Sequence, residues 1–81
     1  MRLYVPDSQA ARNLVRFFRA RGYLAVADPG GEVEVVPIAS RGEAADRASM
    51  LGDLAAWRAD HPGVAADVMG PEAALEQDLG R

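Results

Sequence analysis

The chain has 81 residues, with nine arginines, no lysine and twelve acids, for a formal net charge of −3. A length of this order makes one domain with a modest core, burying only about 60% of the surface its unfolded chain exposes, so a dimer or a docked tail would help it. The absence of cysteine excludes disulfides, thiolate chemistry and cysteine-built metal sites, and the acidic balance disfavours nonspecific nucleic-acid binding, which rests on neutralising phosphates.

Residues 2–6, RLYVP, read as a short strand with Leu3 and Val5 on one side and Arg2 and Tyr4 on the other, stopped by Pro6. Asp7 or Ser8 then caps a helix, because either side-chain oxygen can accept from a free N–H of the first turn. The helix runs to about Arg21 on an apolar stripe of Ala10, Ala11, Leu14, Phe17 and Phe18, and Gly22 follows where a left-handed backbone costs little. In YLAVADPGGEVEVVPI two strand-forming runs flank a DPGG turn, in which Pro29 presets φ and the glycines permit positive φ. Leu24 and Val26 alternate on the first run, Val33 and Val35 on the second, and Pro37 ends the useful pairing.

Ser40 and Glu43 form an S-x-x-E capping box, the strongest local signal in the chain. The helix it opens runs to about Asp60, with Ala44, Ala48, Leu51, Leu54 and Ala55 as its inner stripe and Asp46, Asp53 and Asp60 on the opposite side. HPG stops it, VAADVMG reads as a last strand with Val64, Ala66 and Val68 inward, and Pro71 suits the first turn of a short helix over 72–79. The start MRLYVPDSQ has no apolar signal region and no run approaches the ~18 apolar residues of a membrane span, so the expected setting is the cytoplasm, without a membrane partner.

The order β-α-β-β-α-β followed by a short helix predicts a single α+β domain over 1–81. The pattern is the ferredoxin-like sandwich, with a four-stranded antiparallel sheet and two helices on one face. Alternation gives the uncovered sheet face Arg2, Tyr4, Tyr23, Ala25, Ala27, Glu32, Glu34, Val36, Ala65, Asp67 and Met69. Tyr4, Tyr23, Val36 and Met69 fit a partner surface, where Tyr, Met and Arg are enriched. A solvated face with scattered apolar residues is the competing reading.

Arg12, Arg16 and Arg19 fall at i, i+4 and i+7 and share one side of their helix. They suit contact with an anion or an acidic partner, since guanidinium matches carboxylate and phosphate geometry; the alternative is the solvated back of an amphipathic helix. No aromatics or glycine-rich loop accompany the row, so it does not point to nucleic acid.

His61, the single histidine, precedes a proline at a helix end, where the dipole favours it. A small enzyme built on His61 with Asp60 or Asp67 is the least favoured reading; no catalytic residue is assigned, and no metal-ligand spacing appears, so no metal or cofactor is expected. Met50, Leu54 and Trp57 form a second apolar line, expected to pack under the C-terminal helix against Leu75 and Leu79, or else to serve a partner.

The stretch YVPDSQAARNLVRFFRARGYLAV, residues 4–26, is similar to ACT regulatory domains, which also run strand, Asp-containing turn, helix, glycine, strand. Those domains usually carry proline–glycine after the Asp, where Ser8 and Gln9 stand here. The resemblance implies a small-ligand-binding regulatory domain, possessing a site near the first loop or at a subunit interface. The reading favoured by the residues themselves is a non-enzymatic interaction module, homodimeric through the outer sheet face or an edge strand, with a small anionic ligand as a further partner.

Overall fold

The computed structural model describes residues 1–70 and 73. Six elements follow in the expected order: β1 (Arg2–Tyr4), α1 (Ser8–Ala20), β2 (Tyr23–Ala27), β3 (Glu32–Pro37), α2 (Glu43–Asp60) and β4 (Asp67–Met69). The strands form one antiparallel sheet in the order β2-β3-β1-β4. With two helices on one face, this is the ferredoxin-like α+β sandwich that the pattern of elements predicts. The helix expected over 72–79, together with Leu75 and Leu79, lies outside the described residues except for Ala73, which packs against the core.

Helix α1 forms as its sequence dictates. Asp7 is the N-cap, its Oδ1 accepting from the Ala10 N–H at 3.0 Å, and Gly22 takes φ +93° past the helix end. Ala11, Leu14, Val15 and Phe18 are buried against the sheet, with Ala10 and Phe17 half-buried beside them. The Asp28–Glu32 turn closes with the Asp28 N–H donating to the Glu32 carbonyl at 2.9 Å and the Gly31 N–H to the Asp28 carbonyl at 3.2 Å. Gly31 is required there. Its φ is +95°, and a Cβ would sit 3.1 Å from both the Tyr4 ring and the Val5 carbonyl oxygen.

That turn fixes which way β2 faces, and it corrects the expected face. The register pairs Ala27 with Val33, Ala25 with Val35 and Tyr23 with Pro37. Cross-strand partners share a face. Val33 and Val35 are fully buried under the helices, so Tyr23 and Ala25 are buried with them, while Leu24 and Val26 turn outward. Pro37 costs little in this register. Hydrogen bonds join Asp28 to Glu32 and Ile38 to the Gly22 carbonyl, so by antiparallel alternation the Tyr23–Pro37 pair is a non-hydrogen-bonded one.

Helix α2 also differs from expectation in two linked ways. Its buried residues are Met50, Leu51, Leu54 and Trp57, while Ala44, Ala48 and Ala55 are exposed. Relative to the predicted stripe the helix is rotated by about 80° on a 3.6-residue wheel. Burying Trp and Met removes far more apolar surface from water than burying three alanines. Trp57 is therefore interior, its Nε1 donating to Asn13 Oδ1 of α1 at 2.9 Å, and is no ridge for a partner. The same rotation brings the Asp46, Asp53, Asp60 row from the back of the helix to the flank of the core.

The capping box does not form. The N-cap is Gly42 at φ +103°, which makes Glu43 the first helical residue instead of the third. Asp46 does the work instead: its Oδ1 accepts from the Arg41 N–H at 3.0 Å and its Oδ2 from the Ser40 hydroxyl at 2.6 Å. Glu43 pairs with Arg47 one turn on, at 2.8 Å.

Candidate interaction site

The outer sheet face is built from alternate residues of four strands, and its composition follows from the register. Arg2 stands opposite Glu34 on one side and Met69 on the other; Tyr4 stands between Glu32 and Asp67. On the β2 side, Val26 neighbours Glu34 and Leu24 neighbours Val36, with Ile38 just beyond. Four aliphatic side chains there are strongly exposed: Leu24 60%, Val26 60%, Val36 46% and Ile38 66%. Together they make a patch on the order of 400 Å², a size that on a monomer's surface is often functional. Together with Arg19, Tyr23, Ala25 and Glu34 they line a concavity of about 510 Å³ at the β2 edge.

Of the four residues expected on a partner surface, Tyr4, Val36 and Met69 lie on this outer face. Tyr23 does not. It is buried beneath the helices, its ring edge-on to Phe18 with centroids 5.2 Å apart. Its hydroxyl donates to Asp53 Oδ2 at 2.8 Å and lies 2.6 Å from Ser49 Oγ. Arg21 completes the cluster, bridging to Asp53 Oδ1 at 3.1 Å while its guanidinium stacks 4.3 Å from the Phe17 ring centroid. Burial raises the Tyr23 pKa above its ordinary 10.0, and the Asp53 carboxylate adds to the rise against the opposing Ser49 contact. The cluster pins the C-terminal end of α1 and the start of β2 to α2, and sequence reasoning missed it because it depends on the rotated helix. Ala25 and Ala27, expected on the outer face, share the inner phase of Tyr23.

The replacement of Tyr23 by Leu24 and Val26 on the outer face is the central change. It exchanges an amphipathic residue for two aliphatic ones, and so makes that face more apolar than alternation had suggested.

Two arginines stand at the sheet edges. By the same alternation, the β2 backbone groups that point away from β3 belong to Tyr23, Ala25 and Ala27. The Ala25 carbonyl is already taken: Arg19 Nε donates to it at 2.9 Å. At the other edge β4 has only three residues, and Arg58 of α2 donates from Nε and Nη2 to the Ala66 carbonyl just before it. An arginine from each helix thus reaches over the rim of the sheet.

Comparison with family models, curated proteins and solved structures finds no match.

Arg12, Arg16 and Arg19 are all exposed along α1, and they line one concavity beside β2. His61 is engaged locally: Nδ1 lies 2.8 Å from the Trp57 carbonyl oxygen, and its ring stacks on Trp57 at 4.2 Å and 13°. Asp60 and Asp67 are exposed, one at the end of α2 and the other on the outer sheet face. Among the described residues no group of three or more His, Asp or Glu side chains is placed to hold a metal ion, and no helix is long and apolar enough to cross a membrane.

Proposed function

We propose that this domain is a non-enzymatic interaction module that pairs with a second copy of itself through the outer face of its sheet. The observation that carries the reading is the exposed aliphatic group Leu24, Val26, Val36 and Ile38 on one side of an otherwise well-filled sandwich. Burying such a patch against its own copy supplies the apolar burial that a domain of this size lacks alone. The charges beside it suit a two-fold arrangement. Arg2 and Glu34 stand opposite each other on neighbouring strands, so the same surface offers both signs to its copy, as an isologous interface needs. Between the two surfaces considered from sequence, the face is favoured over the edge, because Arg19 occupies the Ala25 carbonyl on β2 and β4 is short.

Sedimentation equilibrium from low to high micromolar concentration tests this. A dimer, with protection of the β2 and β3 amides rising with concentration in hydrogen exchange, supports the reading. A monomer at high micromolar concentration refutes it.

A further inference from the structure

Among the described residues, three cations stand together on an acidic chain with no carboxylate in ion-pair reach. Arg12, Arg16 and Arg19 line an open concavity of about 560 Å³, with Gln9 at one end and Val15 and Ala27 completing its lining. Among the described residues the ion pairs are Arg21 with Asp53 and Arg47 with Glu43; no carboxylate lies within ion-pair distance of the three.

Two of the three are also held in place. Arg19 is anchored by its Nε on the Ala25 carbonyl, which leaves both terminal nitrogens of its guanidinium for another acceptor. Arg12 Nη2 donates to Gln9 Oε1 at 3.1 Å. A guanidinium already fixed through one N–H loses less freedom when the others are engaged.

Spacing then selects the ligand. With about 1.5 Å rise per residue, Arg12, Arg16 and Arg19 are spread over roughly 10 Å of helix, about 5–6 Å between neighbours. With Arg12 bonded back to Gln9 and Arg19 held on the Ala25 carbonyl, one small anion such as sulfate would have to draw the outer side chains inward to engage all three. A chain of linked phosphates can reach all three, because it places a negative group at each step, and the lining volume falls within the range of small-molecule sites.

We propose that this concavity is a binding site for a small polyphosphate, the di- or triphosphate portion of a nucleotide-sized metabolite, held by Arg12, Arg16 and Arg19. The site lies on the helix side of β2 and shares Arg19 with the concavity beside the aliphatic patch, which Arg12 and Arg16 do not line. Arg19 would serve twice, with Nε on the sheet edge and the terminal nitrogens on phosphate. Val15 and Ala27 offer apolar contact to whatever the phosphates are attached to.

The test is an amide NMR titration of the full chain with sodium tripolyphosphate, with sodium sulfate at equal ionic strength as the control. The proposal expects saturable shifts confined to residues 9–19 and 25–27, and weaker, non-saturating response to sulfate. Arg16 is exposed and makes no hydrogen bond within the described residues, so Arg16→Gln leaves the fold intact, and it weakens tripolyphosphate binding at least fivefold. Arg41→Gln, in the loop before α2 and outside this lining, leaves binding unchanged. Shifts scattered over all exposed arginines, equal binding of sulfate, or less than fivefold loss with Arg16→Gln overturns the proposal. An acidic peptide that binds the same residues while tripolyphosphate does not also overturns it, and assigns the arginines to a protein partner.

Discussion

Leu24 offers the sharpest test of the outer-face dimer. It lies on β2 opposite Val36, 60% exposed in the single chain, which leaves about 100 Å² of side chain to be buried by a partner; at about 25 cal/mol per Å² that is roughly 2.5 kcal/mol per copy. A two-fold interface contains the residue twice, so removing its apolar surface costs about 5 kcal/mol of association, a rise in Kd of more than about a thousandfold. Leu24→Asp adds the cost of burying a carboxylate beside Glu34 on the same face. Sedimentation equilibrium measures the change directly. Far-ultraviolet circular dichroism and Trp57 emission report the fold, which should be unaltered because Leu24 points away from the core. Leu24→Thr retains strand propensity and should fall between parent and Asp variant. If Leu24→Asp stays folded and its dimer Kd lies within about tenfold of the parent's, the patch is not at the interface and the reasoning fails.

Three further outcomes follow from the interior and the loops. Tyr23→Phe removes the hydroxyl that meets Ser49 and Asp53 and should lower unfolding free energy by about 1–2 kcal/mol in a urea titration, because Asp53 loses a donor; because the Tyr23 pKa is raised above 10.0 in the fold, its contribution is complete below pH 10 and lost as pH climbs through the raised value, so parent and variant should converge in strong alkali. The Asp46 pKa is lowered from 3.8, first by the Arg41 N–H and then by the Ser40 hydroxyl; its stabilisation is present above pH 3.8 and lost as pH falls through the lowered value, so acid unfolding of Asp46→Asn should show a shallower pH dependence than the parent, and identical profiles refute the cap. Gly31→Ala meets positive φ and two contacts at 3.1 Å, one to backbone, and should destabilise by about 1–3 kcal/mol, measured by thermal unfolding against Gly52→Ala, whose added Cβ meets open space.

The architecture was legible in the sequence because each element carries its own punctuation. Asp7 and Gly22 bracket the first helix, Pro29 to Gly31 mark the hairpin, and alternation at Leu3 and Val5 marks the first strand. What was not legible is the phase of β2 and of α2. Hydrophobicity ranks Leu24 and Val26 above Tyr23 and Ala25, so a local reading turns the strand the wrong way; the deciding fact is the register imposed by the Asp28–Glu32 turn, a non-local pairing with Val33 and Val35. The second helix failed for a related reason. Its alanines and its Met50, Leu54 and Trp57 describe two stripes that periodicity alone cannot rank. Ser40 and Glu43 have the spacing of a capping box, but Gly42 starts the helix too late for Glu43 to reach back. The register and the helix rotation bear directly on the site, because they place Tyr23 inside, bring Asp53 to it, and leave Leu24 and Val26 outside.

The hydrogen bond from Arg19 to the Ala25 carbonyl bears on how assembly stops. Face-to-face pairing about a two-fold axis consumes its own surface and closes at two copies. Edge-to-edge pairing leaves a fresh edge each time and can grow without limit. With one rim held by Arg19 and the other reduced to three residues beside Arg58, opening one edge alone would let two copies join there and would still leave the other edge to stop a growing sheet.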